Sequence, residues 1–140
     1  MDDPTSLTRM ALRPRFCETD LMGIVHHANY LVYFEAVRVE WLRRRGVSFA
    51  DWARRGMHVP VVEAAVSYKS AAFFDDELLV EARLTELRSA SIRLEYRLLR
   101  GEVLIAEGST RLAWVNAERR LQRIPEDVRK VLTSPEIQNS

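Results

Sequence analysis

An acid, a glycine and two adjacent histidines stand directly ahead of a long apolar segment of this 140-residue chain: Asp20, Gly23, His26 and His27, then NYLVYFEAVRVEWLRRR. A helix that begins near Asn29 leaves its first backbone N–H groups without intrahelical partners, and these groups carry the positive end of the helix dipole. Such an end can stabilise a developing oxyanion. An ionised carboxylate opposite it can attack a carbonyl carbon or activate a water molecule. The spacing therefore permits nucleophilic or general-base chemistry at a carbonyl.

Other interpretations of these residues are open at the level of sequence. Aspartate is common as a turn residue and as a helix N-cap, so Asp20 could serve structure alone. Adjacent histidines rarely converge on one ion, the other histidine, His58, is distant, and no cluster has the spacing of a zinc site, so we expect no metal. Neither GxSxG, a P-loop nor GxGxxG occurs, which excludes the usual serine hydrolases and nucleotide-binding folds.

The apolar segment predicts a helix from about Asn29 to Arg45, with Asn29 as its N-cap and Gly46 as its stop signal. Apolar residues cover nearly its whole circumference, so we expect it to be buried on nearly all sides. Glu35 interrupts this surface and needs a partner or a purpose. It could pair with Arg38, pair with another subunit, or line a pocket.

Most of the remaining chain alternates in the manner of strands. Residues 8–17 predict a first strand that Pro14 places near an edge or a bulge. Four further alternating segments predict an antiparallel sheet with one covered face; they are residues 62–68, 78–84, 92–98 and 104–114. Gly101 and Glu102 predict a tight hairpin, and short helices are expected at 49–54 and after Pro125. One antiparallel sheet curled around one central helix accounts for both patterns, an α+β arrangement.

The composition fits a single domain over residues 1–140, with 47% hydrophobic and 29% charged residues. The formal net charge of +1 does not call for a nucleic-acid partner or an anionic membrane. No apolar run is long enough to span a membrane, and residues 1–7 lack the features of a signal peptide. The single cysteine, Cys17, favours a reducing compartment. We therefore expect a soluble cytoplasmic protein.

The stretch R-F-x-E-T-D-x-x-G-x-V-H-H-A-N-Y-x-x-Y-F-E-A-x-R-x-E, from Arg15 to Glu40, resembles the hotdog-fold acyl-CoA thioesterases of the 4-hydroxybenzoyl-CoA thioesterase type, and in particular their bacterial YbgC-like branch. Tyr68-Lys69, the Phe73–Asp76 turn and Ile124-Pro125 extend the resemblance over nearly the whole chain. The resemblance implies a hotdog fold, in which an antiparallel sheet wraps around a long central helix.

It also implies an activity, the hydrolysis of aromatic or short-chain acyl-CoA thioesters without a metal or cofactor. Asp20 would be the catalytic carboxylate, as nucleophile or as base to a water, and the backbone N–H of His27 would polarise the thioester carbonyl. Gly23 would permit the turn of the loop, His26 would orient the water or the substrate, and Asn29 would hold the loop and the helix end in register.

The acyl pocket of this family lies between two protomers, so the resemblance implies a homodimer or a homotetramer. Tyr30, Tyr33 and Glu35 would line or support the pocket, and a basic rim would hold the CoA phosphates. The expected substrate-binding residues are Asn29, Tyr30, Tyr33, Glu35, Tyr68, Lys69, Arg93 and Arg97. The arginines could instead simply solvate the outer face of the sheet.

Two alternative functions fit the same fold. One is another hotdog activity, the hydration of an enoyl thioester, which usually places a histidine and an acid on different segments. The other is a non-catalytic partner of an acyl carrier protein or of a phospholipid enzyme. The position of Asp20 ahead of the helix fits hydrolysis better than hydration. The joint presence of Asp20, Gly23 and Asn29 argues against a non-catalytic protein, although a binding role could coexist with catalysis.

Overall fold

One antiparallel five-stranded sheet and one long helix form the body of the protein, whose computed structural model describes residues 6–137. In chain order the elements are β1 (Thr8–Leu12), α1 (Asn29–Arg43), α2 (Phe49–Arg54), β2 (Val61–Tyr68), β3 (Leu78–Leu87), β4 (Ser91–Arg100), β5 (Val103–Ala113) and α3 (Glu126–Leu132). The strands lie in the order β1-β3-β4-β5-β2, which makes β1 and β2 the edges. The predicted α+β architecture is confirmed.

Alternate side chains of the sheet point toward α1 and form the core. Val80 on β3, Tyr96 on β4 and Ala106 on β5 are almost fully buried on this inner face. Phe34 of α1 stacks on Tyr96 with ring centroids 4.6 Å apart. The helix packs mainly over β3 and β1, so the opposite edge of the sheet receives little cover from it.

The first strand is shorter than residues 8–17, because it ends at Leu12 and a 3-10 turn, Phe16–Glu18, follows. Pro14 has no N–H to continue the ladder to β3. The prediction that Asn29 is the N-cap of α1 is wrong: Ala28 holds that position, and Asn29 is the first helical residue. The predicted short helices, the Gly101 hairpin and the four later strands are confirmed.

The expectation that α1 is buried on nearly all sides is wrong within a single chain. Leu31, Val32 and Val39 are 39%, 52% and 36% exposed. They form an apolar stripe on the face that is turned away from β3 and β1. All residues of β2 except Val66 are exposed as well. One chain therefore leaves a helix face and an edge strand uncovered.

Gly108 of β5 lies close to both β2 and α1. A Cβ atom there would lie 2.4 Å from the carbonyl oxygen of Ala65 and 2.8 Å from the ring of Phe34. The glycine thus lets β5 approach both its neighbouring strand and the central helix.

Gly108→Ala should lower the free energy of unfolding by about 3 kcal/mol, since the added methyl group meets backbone that cannot move aside cheaply. Urea unfolding followed by circular dichroism measures the change. Ser109→Ala is the matched control at the next, outward-facing position and should stay within about 0.5 kcal/mol of wild type. Equal stability of both variants would show that β5 and β2 can separate at this point.

Candidate active site

Asp20 lies in a tight turn between the 3-10 turn and α1. Its N–H donates to the carbonyl of Ile24 (2.9 Å), and its own carbonyl accepts from the N–H of Gly23 (3.0 Å). Gly23 has φ of 78°, a left-handed conformation that glycine adopts without strain. One carboxylate oxygen, Oδ1, accepts from the N–H of Met22 (2.8 Å), while Oδ2 accepts no hydrogen bond from residues 6–137. Asp20 therefore stabilises its turn with one oxygen and presents the other to solvent.

The backbone of Glu18 joins this loop to the start of α1. Its carbonyl oxygen accepts from the N–H of His26 (2.8 Å) and from the Nδ2 of Asn29 (2.9 Å). Asn29 thus ties the loop to the helix through its side chain. An isolated antiparallel bridge between Thr19 and Val25 closes the base of the Asp20 turn.

The side chain of Glu18 forms a second connection, and it is buried. Oε1 accepts from the Arg15 N–H (2.7 Å) and from the Tyr33 hydroxyl (2.9 Å), and Oε2 lies 3.2 Å from the Arg15 guanidinium. Burial by itself raises the pKa of Glu18, but these hydrogen bonds outweigh it and hold the pKa below its usual range. Burial and the same carboxylate raise the pKa of Tyr33. Glu18 is therefore an ionised anchor between the loop and α1.

The peptide of His27 is held from the end of β2. The Tyr68 hydroxyl donates to the His27 carbonyl oxygen (3.0 Å). The His27 N–H has no hydrogen-bond partner among residues 6–137. It lies beside the first turn of α1, where free N–H groups attract negative charge. The imidazole rings of His26 and His27 are 4.1 Å apart, and Nδ1 of His26 accepts from the Ala28 N–H (3.3 Å).

Three tyrosines support this end of the sheet. Tyr30 packs edge to face against Tyr33 and Tyr68, with ring centroids 6.2 and 5.1 Å apart. Tyr30 is buried, which raises its pKa. The structure therefore brings most of the predicted site residues together around the loop and the helix start; these are Asp20, Gly23, His26, His27, Asn29, Tyr30, Tyr33 and Tyr68.

The other predicted residues lie elsewhere in the single chain. Lys69 follows Tyr68 at the end of β2 and lies 4.0 Å from Glu107. Arg93 and Arg97 project from β4 on the face away from α1, where they lie 3.5 Å from Glu95 and 3.7 Å from Glu81. This arrangement is the one expected of arginines that solvate an outer sheet face. Glu35 is exposed on α1 and makes no ion pair within the described chain.

Residues 6–137 hold neither a candidate metal cluster nor a candidate membrane span. No group of three or more His, Cys, Asp or Glu side chains in this range is arranged to hold a metal ion. Within the same range, no helix has the length and apolar character needed to cross a membrane.

Sequence reasoning did not assign a role to Glu18. The sequence did contain a hint that Glu18 is buried and paired: it follows the apolar residues Phe16 and Cys17 and lies three residues after the basic Arg15. Nothing in that pattern distinguishes a buried acid from a surface acid, because its partner Tyr33 lies 15 residues away.

Comparisons with known proteins assign the chain to a family. The model of the thioesterase-like superfamily matches residues 14–132. The chain belongs to this superfamily. A putative esterase of Aquifex aeolicus is 34% identical over 120 residues, covering 86% of this chain and 93% of the relative. The acyl-CoA thioesterase YbgC of Haemophilus influenzae is 33% identical over 106 residues, covering 75% and 78%.

A solved structure supports the same assignment. The DHNA-CoA thioesterase of Staphylococcus aureus superposes with a TM-score of 0.85 at 25% identity, covering 89% of this chain and 87% of that one. The sequence-based expectation of a hotdog-fold member of the YbgC-like thioesterases is confirmed.

Glu18→Gln should lower the free energy of unfolding by about 2 kcal/mol at pH 7, since it removes a buried charge that Arg15 and Tyr33 satisfy. A carboxyl with a lowered folded pKa stabilises the protein above its unfolded pKa of about 4.3, and this stabilisation is lost as the pH falls through the folded pKa. The difference from wild type should therefore shrink below about pH 4.

Urea unfolding at pH 7 and at pH 3.5 (about one unit below the unfolded pKa) measures this difference. Glu95→Gln, which removes an exposed carboxylate 3.5 Å from Arg93, is the control and should change stability by less than about 0.5 kcal/mol. A Glu18→Gln deficit of the same size at both pH values would contradict the ionised anchor.

Proposed function

We propose that this protein is a cytoplasmic acyl-CoA thioesterase that uses the Asp20 carboxylate and the His27 N–H to hydrolyse its substrate. The observation that carries the proposal is the geometry of the Asp20 turn. Asp20 presents an exposed carboxylate whose Oδ2 accepts no hydrogen bond from the described residues. Glu18 ties this turn to the start of α1, where the His27 N–H has no hydrogen-bond partner among the described residues. Membership of the thioesterase-like superfamily supports the same chemistry.

The reaction needs little beyond position and charge stabilisation. Aspartate is ionised at neutral pH, and a thiolate is a good leaving group. Oδ2 of Asp20 attacks the thioester carbon, or it takes a proton from a water that attacks in its place. The carbonyl oxygen becomes an oxyanion, which the His27 N–H stabilises. The C–S bond then breaks and the CoA thiolate is released. On the covalent route, one water then hydrolyses the anhydride between Asp20 and the acyl group, which releases the acid and regenerates the carboxylate; either route consumes a single water.

The surface beside Asp20 suits an apolar acyl group. Leu21 and Met22 form the tip of the turn and are largely exposed. Phe16 and Phe74 pack edge to face nearby, with centroids 5.7 Å apart, and both are exposed. An aromatic or short aliphatic acyl chain would contact these side chains. The uncovered faces of α1 and β2 support the expectation that a second protomer closes the pocket.

Asp20→Ala should lower kcat by about 10²- to 10⁴-fold, because it removes the group that attacks or deprotonates. Free thiol released from benzoyl-, hydroxybenzoyl- and short-chain acyl-CoA is the measurement, with circular dichroism as the test of folding. Asp51→Asn, an exposed acid on α2, is the control and should leave kcat unchanged.

Three outcomes discriminate the alternatives. Unchanged thiol release by Asp20→Ala would mean that another group is catalytic. Addition of water to an enoyl-CoA without thiol release would indicate a hydratase. Absence of any reaction in the wild type would favour a non-catalytic binding protein. If hydrolysis occurs, a single turnover in ¹⁸O-labelled water tests for the covalent route: unlabelled acid with the label in Asp20 shows that Asp20 attacked the thioester and that water then attacked the Asp20 carbon of the anhydride.

Tyr68→Phe should lower kcat by about 10-fold with little change in KM, since a small displacement of a stabilising group is enough to slow the reaction. The variant removes the hydroxyl that holds the His27 peptide but keeps the ring that packs on Tyr30. Steady-state thiol release gives both constants. A rise in KM at constant kcat would indicate instead that the Tyr68 hydroxyl contacts the substrate.

A further inference from the structure

The second leg of the Asp20 turn is held from outside by a short segment, residues 71–73. The Asp20 N–H donates to the Ile24 carbonyl (2.9 Å), and Ile24 in turn forms an isolated antiparallel bridge with the last residue of this segment. The next residue, Val25, donates its N–H to the Ala72 carbonyl (2.8 Å), and both of these residues are buried. The position of the Asp20 backbone therefore depends on where residues 71–73 lie.

Regular sheet pairing does not extend to this segment. β2 ends at Tyr68, and the N–H groups of Lys69 and Ser70 both donate to the Ile105 carbonyl of β5 (2.9 and 3.1 Å). Beyond this point the backbone of residues 71–73 has left the sheet. Its position must therefore be set by other contacts.

Two side chains supply these contacts. Nη1 of Arg100 donates to the Ala71 carbonyl (3.0 Å) and to Oδ2 of Asp76 (2.9 Å). The same Oδ2 accepts from the Phe73 N–H (2.9 Å). The first and last residues of the segment are thus each held by one of two side chains that also bind each other.

This pair is anchored in the body of the sheet. Arg100 is the last residue of β4, the central strand, which has neighbours on both sides. The guanidinium is 35% exposed and the Asp76 carboxylate 21% exposed, and the guanidinium lies 5.9 Å from the centroid of the Phe73 ring. Hydrogen bonds between charged groups that are partly withdrawn from water hold their geometry better than fully exposed ion pairs do.

We propose that Asp76 and Arg100 are positioning residues for the Asp20 carboxylate. The pair fixes residues 71–73, and this segment fixes the second leg of the turn. The turn then presents Asp20 at the distance from the His27 N–H that attack on a carbonyl group needs. Neither side chain of the pair has to contact the substrate. The inference rests on the proposed function, since that function makes the position of the carboxylate matter.

Two simpler roles leave part of the geometry unexplained. A turn aspartate commonly accepts from a backbone N–H of its own turn, which would account for the bond between Asp76 and Phe73 but not for Arg100. An arginine near a CoA site is also a candidate for binding phosphate. Here, however, Nη1 of Arg100 already donates to two acceptors of its own chain.

Steady-state thiol release tests the proposal. Asp76→Ala should lower kcat by about 10- to 100-fold with KM nearly unchanged, because the reacting groups remain but are displaced. Arg100→Gln should have a similar effect. Arg100→Lys should keep most of kcat, because a single nitrogen makes both contacts and an ammonium group can replace it. A rise in KM at constant kcat for Arg100→Gln would show that this residue binds the substrate, and would overturn the proposal.

A double variant tests whether the effect passes through Asp20. In an Asp20→Ala background, Asp76→Ala should change the residual rate by less than about 3-fold, because the group that it positions is absent. An equal loss in both backgrounds would mean that Asp76 supports the structure in general, and would overturn the proposal.

Asp75→Asn is the matched control, one residue away in the same turn. Asp75 is exposed, its carboxylate lies 3.7 Å from Arg13, and its φ of 63° is a conformation that asparagine also adopts. The control should leave kcat and KM unchanged. Circular dichroism establishes that each variant is folded, and Arg100→Gln decides the question if Asp76→Ala is not.

Amide hydrogen exchange tests the positioning without catalysis. In Asp76→Ala the N–H groups of Asp20 and Val25 should exchange about 10-fold faster, whereas that of Tyr96, in the core of β4, should not change. Unchanged exchange at Val25 would overturn the proposal. A wild type that releases no thiol, combined with faster exchange at Val25 in the variant, would refute the proposed function and leave the pair as the support of the turn.

Discussion

The attachment of the Asp20 loop to the start of α1 through Glu18 is the constraint on which the site depends. The Glu18 carbonyl binds the His26 N–H and the Asn29 side chain, and its carboxylate binds Arg15 and Tyr33. A loop rich in small and polar residues would otherwise move independently of the helix. Geometry of this kind matters because a carboxylate and an oxyanion donor are effective only when both reach the same carbonyl group.

Much of this arrangement could be predicted from the sequence. Period-two alternation predicted the four later strands, and the loop motif singled out Asp20, Gly23 and His27. The N-cap assignment failed because an asparagine next to a helix start can use its side chain either for its own backbone or for a distant carbonyl, here that of Glu18. Local sequence cannot choose between these, since the choice depends on where another segment folds.

The burial of α1 illustrates a different limit. An all-round apolar pattern shows that a surface avoids water, but it does not say whether the same chain or another provides the cover. Leu31 and Val32 are as apolar as Phe34, and only the packing of α1 over β3 and β1 separates the exposed residues from the buried one. The arginines of β4 were likewise ambiguous, because alternation places them on a face without saying what that face meets.

The open edge of β2 also implies that the activity of the protein depends on its concentration. If two chains are needed to close each active site, the concentration of closed sites rises with the square of the free-chain concentration, and dilution dissociates the paired chains. At low concentration the protein would remain as single chains, in which the backbone N–H and C=O groups along the outer edge of β2 are unpaired and open to other extended chains. Turnover per chain would then rise with the amount of protein present, a form of control that needs no effector.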